Sequence, residues 1–585
     1  MRHFIVIVQF GLLAWMAHRQ SPVIDEVGHL PAAISYWQLG TFDLYRVNPP
    51  LSRLVAGAPL MVEGVELDWS VYRSGLCDRT EWSMGKAFVD ANPLSWHSYF
   101  VAGRLALLPI ILLGGYVCHA WARELYGDWS GFFALCLWAF TPEVLALGST
   151  MTPDASSAAL GVLAGYCFWK WLKAPSWPGA LLAGLTLGLA ELSKMTWVVL
   201  FPLWPILWLI CCQDRGDWRR QAVQLAAILV LAVYILNLGY AFEGFGQPLE
   251  DYTFASRTLA GADAVSEGGS GGNRFAGGWL GKLPVPVPKN YLSGMDLQKL
   301  DFERGDWSYL NGAWQQGGWW YFYLECAVLK VPLGTWALGF LALGCTIWSV
   351  KAYGAGWRHE LILLAPALVV FLLVSSQMGF SRYFRYALPC FPFVLIWISK
   401  VAKAFELKHW GVALPAGLAL LWSVASSLSV YPHSMSYFNE LAGGPRNGHR
   451  YLIDASIDWG QDLWELKDWC DANPQARPMH AEVRGVIDLK HFGIRAASAA
   501  GWPLKDQGRA GQTRTDFDHL GPRPGWYAMS VHRLHDRSGQ FDYFLQHYEP
   551  VDRIGYSIHI YHITPEDANR VRPKLGLPPL RRAPD

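Results

Sequence analysis

Apolar segments recur along most of this chain, at roughly 4–17, 99–119, 129–147, 156–172, 180–193, 196–212, 221–240, 319–349, 360–376, 384–399 and 411–430. A helix needs about 20 apolar residues to cross a bilayer core, and backbone polar groups there must be bonded within the segment. The first 430 residues are therefore expected to form an α-helical polytopic membrane domain of about eleven spans, several of them short enough to tilt or stop part-way. Only 16% of the 585 residues are charged and 52% are hydrophobic, where soluble domains average nearer 25% charged. From Tyr431 the composition turns soluble. HAEVRGVIDL (480–489) and GWYAMSVHRL (525–534) read as strands. QDLWELKDWCDAN (461–473) reads as an amphipathic helix, with Leu463, Leu466 and Trp469 at helical spacing. Residues 431–585 are thus expected to be a soluble α/β-type domain with its own core.

The N-terminal run Phe4–Ala17 follows Arg2-His3, as in a signal peptide, but it ends in His18-Arg19-Gln20 with no small-residue cleavage site, so it is read as a retained first span. Placing the N-terminus in the cytoplasm makes every short inner loop basic. These loops hold Arg123, Lys170 and Lys173, Arg215 with Arg219 and Arg220, Lys351 with Arg358, and Lys400 with Lys403 and Lys408. Outside then lie 20–98, the turn STMTPDAS (149–156), 241–318 and everything after 430. The 241–318 loop carries SEGGSGGNRFAGG and then LPVPVPKNY, a flexible stretch followed by an extended one, and is expected to act as a mobile lid.

A net charge of +1 argues against nucleic acid as a partner. Of ten cysteines, Cys118, Cys136, Cys167, Cys211, Cys212, Cys345 and Cys390 sit in apolar segments, which is no disulfide framework. Cys77 and Cys470 fall in outer regions, where a pairing is conceivable but not favoured.

Chemistry-bearing residues concentrate at the outer ends of the apolar segments. Asp25 and Glu26 follow the first one and point about 100° apart on a helix, while Asp25 and His29 share a face. Carboxylates at a membrane boundary are functional candidates. Asp154, in Thr152-Pro153-Asp154, is also placed to cap the helix after it. Lys194 in ELSKMTW, Lys330 in LKVPLGTW, and Arg382, Arg385 and Tyr386 in SRYFRYALPCFP put cations against apolar surface. Snorkelling would explain any one of them. Together they suit an anion held near the bilayer. No cofactor is expected: a metal needs three or four ligands, and Glu26 with His29 supply at most two.

DE-x-x-H, an aromatic patch at Tyr36-Trp37, and then Asn48-Pro49-Pro50-Leu51 resemble the first outer loop of GT-C membrane glycosyltransferases, closest to the protein O-mannosyltransferase and aminoarabinose-transferase superfamily. Lys194, and Arg385-Tyr386-Ala387-Leu388-Pro389 with Pro392, match further motifs of that family. Asp154 matches its second acidic position. The 431–469 stretch, with DWGQDL from Asp458, resembles bacterial members, and folding of the junction is its expected role. The resemblance implies a GT-C fold and an inverting transferase that takes a sugar from a polyprenyl-phosphate donor to an acceptor hydroxyl on protein, lipid or glycan. Its active site would face the extracytoplasmic side of the inner membrane. Asp25 would be the base, Glu26 or Asp154 would orient the acceptor, and His29, Lys194, Lys330, Arg382, Arg385 and Tyr386 would bind substrate. A transporter or flippase of lipid-linked sugars also explains many spans with sparse charges. It explains poorly the large soluble domain, the long outer loops and the lack of an internal repeat. A non-catalytic envelope scaffold is the third reading.

Overall fold

The computed structural model describes residues 2–211, 217–377, 379, 382–502 and 516–580, and among these each of the eleven apolar segments contains helix. Cys212 and Arg215, named above, lie outside the described residues. Among the described residues, five helices are long and apolar enough to cross a membrane: Trp96–Tyr126, Trp218–Gly239, Trp357–Ser376, Phe384–Glu406 and Trp410–Leu428. Counting each of two bent pairs as one span makes seven, against the eleven expected. This is a multi-pass membrane protein.

The segments expected at 129–147 and 319–349 are bent pairs of helices. Asp128–Phe140 meets Pro142–Gly148 at 56°, and Phe322–Lys330 meets Leu333–Trp348 at 110°. Both breaks precede a proline, and the residue before a proline is pushed out of the helical region. Val331, ahead of Pro332, is extended at φ −88°, ψ 132°.

The chain divides into two compact units. The larger comprises 1–18, 25–308 and 315–434, and the smaller comprises 19–24, 309–314 and 435–585. Within the larger unit, helices Trp177–Ser193 and Trp218–Gly239 pack closely because Gly184 and Gly188 face the second helix. A Cβ on Gly184 would lie 2.8 Å from the Ile228 carbonyl oxygen, and one on Gly188 would lie 2.6 Å from the Ile235 Cβ. Lipid tails are as apolar as leucine, so such close approach, rather than hydrophobicity, holds helices together. The same helices support the loop side: Ala32, Tyr36, Phe42 and Tyr45 cluster with Leu192, Met195, Leu236, Tyr240 and Tyr291.

The loop after residue 240 is built rather than bare chain. Its Gly-rich part is pinned by Phe254–Gly272 main-chain bonds of 2.8 and 2.9 Å and by Gly271 N–H to the Asp263 carbonyl at 2.9 Å. It then forms the helix Lys289–Arg304, closed by Gly305 at φ +65°. That helix is fixed by Asp296, whose carboxylate accepts from the Ala255 and Ser256 N–H groups at 2.6 and 3.0 Å, and by a Tyr291–Glu191 hydrogen bond.

The smaller unit carries a five-stranded mixed sheet. Met479–Glu482 runs parallel to Ala496–Ala497 on one side and to Gly525–Ser530 on the other. Gly525–Ser530 pairs antiparallel with Ile558–Ile563, which pairs with Asp552–Ile554. The expected helix is Leu463–Ala472, with Leu466 fully buried. DWGQDL is a hydrogen-bond hub. Ser21 donates to the Gly460 carbonyl at 2.7 Å, Ser21 N–H to the Gln461 carbonyl and Ile24 N–H to the Trp459 carbonyl at 3.0 Å each, and Asp458 accepts from Ser530. Two buried histidines, His449 and His559, lie beside the half-buried His535. His449 Nδ1 lies 2.8 Å from His535 Nε2, and the His449 and His559 ring centres are 5.1 Å apart. Cys77 and Cys470 are free thiols.

Candidate active site

Four local features bring distant residues to one cavity of the larger unit. The helix Ile24–Gln38 carries Asp25 and His29 one turn apart. Pro153 at the first position of Pro153–Lys173 preorganises a helix start, with Thr152 as its cap residue. Asp154 therefore sits inside the first turn and makes no capping bond, contrary to the expected capping role. Lys194 ends the preceding helix in extended geometry, φ −160°, ψ 134°, so its side chain leaves the helical surface. Arg385 and Tyr386 lie in the short 3-10 turn Phe384–Cys390.

The charges then meet. Arg385 Nη2 lies 2.8 Å from Asp25 Oδ2 and its Nη1 lies 3.3 Å from Asp154 Oδ2. Lys194 Nζ lies 2.6 Å from Asp154 Oδ1 and 4.8 Å from the centre of the Tyr386 ring. These groups border a cavity of about 130 Å³ whose wall also includes His29, Tyr45, Asn48, Arg79, Trp82, Gln298, Asp301, Phe302 and Tyr383. Arg79 bonds Glu81 at 2.9 Å and Asp301 at 3.2 Å. Burial pushes the Asp301 and Glu81 carboxyls above the usual range against the pull of Arg79. Asp25, Asp154 and Asp301 thus face Arg79, Lys194 and Arg385 across the cavity, balanced in formal charge. An anionic ligand entering it must share those cations.

A second cavity, about 420 Å³, shares Lys194, Gln298, Phe302 and Tyr386 with the first and is otherwise largely apolar, walled by Met195, Val198, Leu259, Leu292, Met295, Leu373 and Val374. A polar chamber joined to an apolar one matches an amphipathic ligand.

Three expected site residues lie elsewhere. Glu26 leaves the helix on another face, where Arg104 grips it at 2.8 and 2.6 Å and the Met151 N–H donates to it at 2.9 Å, all fully buried. Lys330 ends a helix at the proline break and pairs with Glu143 at 3.0 Å, beside a separate apolar cavity. Arg382 pairs with Asp306 at 3.1 Å. Sequence reasoning missed Tyr45, Arg79, Trp82, Gln298, Asp301, Phe302 and Tyr383. For Gln298, Asp301 and Phe302 a signal existed: Pro288, then Leu297 and Leu300 three residues apart, then Gly305.

Comparison with known proteins agrees with the class that fold and site suggest. Residues 98–240, which hold six of the apolar segments together with Asp154 and Lys194, match a family of glycosyltransferases. In particular, the matching family is described as dolichyl-phosphate-mannose-protein mannosyltransferase. Among solved structures, the chain is loosely similar to ArnT from Cupriavidus metallidurans bound to undecaprenyl phosphate (13% identity, 95% of this chain and 97% of that one, TM-score 0.44). The apo state of the same protein scores alike (14% identity, 95% and 96%, TM-score 0.44). The Archaeoglobus fulgidus oligosaccharyltransferase in the apo form is more distant (12% identity, 80% and 58%, TM-score 0.39). No curated protein matches the chain.

Proposed function

We propose that the protein is an inverting glycosyltransferase that moves a hexose or pentose from a polyprenyl-phosphate donor to a hydroxyl of a protein, lipid or glycan, on the extracytoplasmic side of the inner membrane. The observation that carries this reading is Arg385 reaching both Asp25 and Asp154, with Lys194 on the other oxygen of Asp154, at the join of a polar and an apolar cavity. The family match over 98–240 agrees with it, and basic loops on the opposite ends of the helices support the orientation.

The chemistry needs little else. The acceptor O–H gives its proton to Asp25 as its oxygen attacks the anomeric carbon, and the bond from that carbon to the phosphate oxygen breaks. The phosphate leaves as a monoester, whose second pKa near 6 makes it a good leaving group without a general acid. Lys194 and Arg385 hold the charge that develops on it. One displacement on one face inverts the anomeric centre. The test is Asp25→Asn in purified full-length protein. Turnover is expected to fall about 10²- to 10⁴-fold while undecaprenyl phosphate still binds. Near wild-type turnover would remove Asp25 as the base.

A further inference from the structure

Among the wall groups of the polar cavity that the transfer chemistry leaves unused is a histidine. His29 is 1% exposed and lines the cavity. Its Nδ1 accepts a hydrogen bond from Arg53 Nε–H at 2.9 Å. A guanidinium has no lone pair to offer and keeps its protons, so Nδ1 must be the acceptor and the ring proton must sit on Nε2. Nε2 is buried and makes no hydrogen bond. A buried N–H without a partner is costly, and a ligand oxygen in the cavity would supply one.

The arrangement is built, not incidental. Arg53 is 2% exposed and is clamped by the Tyr45 carbonyl at 2.7 Å and by the Tyr36 hydroxyl. The imidazole stacks on the Tyr45 ring at 4.6 Å and 20°, and the guanidinium sits 4.7 Å from the same ring. Tyr45 holds all this from a left-handed backbone, φ +62°, a conformation that costs energy in a non-glycine residue and clusters at functional sites. The charged and titratable groups around the ring are Asp25 one turn back, Arg53, Arg385 and Tyr45. Burial first, then Arg53 and Arg385, holds the His29 pKa well below the ordinary histidine value.

We propose that His29 donates its Nε2–H to an oxygen of the sugar being transferred, and that Arg53 is the positioning residue that sets this tautomer. This rests on the glycosyltransferase reading. A neutral donor one turn from Asp25 suits a sugar hydroxyl or ring oxygen, whereas the phosphate is met by the cations gathered at Asp154.

The test uses full-length protein in lipid nanodiscs, offered undecaprenyl phosphate carrying mannose, glucose or an aminopentose, and sugar-free undecaprenyl phosphate as a binding probe. With whichever donor is active, His29→Phe is expected to lower kcat/KM about tenfold or more. His29→Gln, which keeps an N–H, is expected to lose severalfold less. Affinity for undecaprenyl phosphate should hold to within about twofold in both variants. Nitrogen-15 spectra of labelled histidine should show His29 as the neutral Nε2–H tautomer throughout, and as a mixture in Arg53→Gln. The proposal is overturned if His29→Gln loses as much as His29→Phe at matched thermal stability, if phosphate-probe affinity falls in parallel, or if His29 titrates near neutral pH. Should the wild type transfer from none of the donors, the glycosyltransferase reading fails and the sugar contact with it, while the nitrogen-15 result still judges the role of Arg53.

Discussion

An α-helix turns about 100° per residue, so the two carboxylates that open Ile24–Gln38 leave it in different directions. Asp25 reaches Arg385 in the cavity, and Glu26 reaches Arg104 in a fully buried pair. One sits among the cations of the cavity and the other ties the first helices together. Removing one partner of a buried pair leaves an uncompensated charge, at about 3–5 kcal/mol. Glu26→Gln should therefore lower the thermal unfolding midpoint sharply, while protein that remains folded should keep its donor affinity. A stable but inactive Glu26→Gln protein would instead return Glu26 to the chemistry. Arg385 makes two contacts at once, at 2.8 and 3.3 Å, which a single ammonium cannot span. Arg385→Lys should weaken undecaprenyl phosphate binding about tenfold or more, the scale of one charge-assisted hydrogen bond. Unchanged affinity by titration would show that the phosphate sits elsewhere.

At the scale of elements, the close approach of Trp177–Ser193 to Trp218–Gly239 sets where Lys194 emerges. Gly188 lies six residues before it, with Ile235 already in contact range of any added side chain. Gly188→Leu overpacks that seam at about 1–3 kcal/mol, so both the unfolding midpoint and transfer should drop. Wild-type values for both would mean that the seam does not position the site. What was legible in the sequence follows the same logic. Helical apolar segments are local patterns, and the placement of Asp25, Asp154, Lys194 and Arg385 at segment ends could be read one residue at a time. Their convergence could not, because Asp154 and Arg385 are 231 residues apart and pairing at that distance leaves no local trace. The opposite fates of Asp25 and Glu26 were likewise undecidable without knowing that Arg104 faces one of them. Lys289–Arg304 was hidden by the Gly- and Pro-rich chain ahead of it, although its own apolar spacing was present. The break at Val331–Pro332 was signalled by the proline but masked by the hydropathy around it.

At the scale of the whole molecule, acid acts on the smaller unit through three histidines. Burial pushes His449 down to about 2, His559 to about 3 and His535 to about 4, against an ordinary value near 6.5. The unfolded chain then binds protons that the folded unit refuses. Stability from these residues is complete above about pH 6.5 and is lost on acidification toward pH 4, at up to about 1.4 kcal/mol per pH unit for each histidine. Within the smaller unit, Asp458, whose carboxyl burial raises to about 6, acts in the opposite sense below that value. The melting temperature of full-length protein followed by the smaller unit's hydrogen exchange should therefore fall between about pH 6.5 and 4. A rise over that range would contradict the buried neutral triad. The central proposal is that the larger unit holds a lipid phosphate and not a nucleotide. Purified protein in nanodiscs, offered the same sugar either on undecaprenyl phosphate or as its nucleotide sugar, tests this most directly. Transfer from the lipid donor with inversion, and none from the nucleotide sugar, is the predicted result. Efficient transfer from the nucleotide sugar with the lipid donor inert would contradict it.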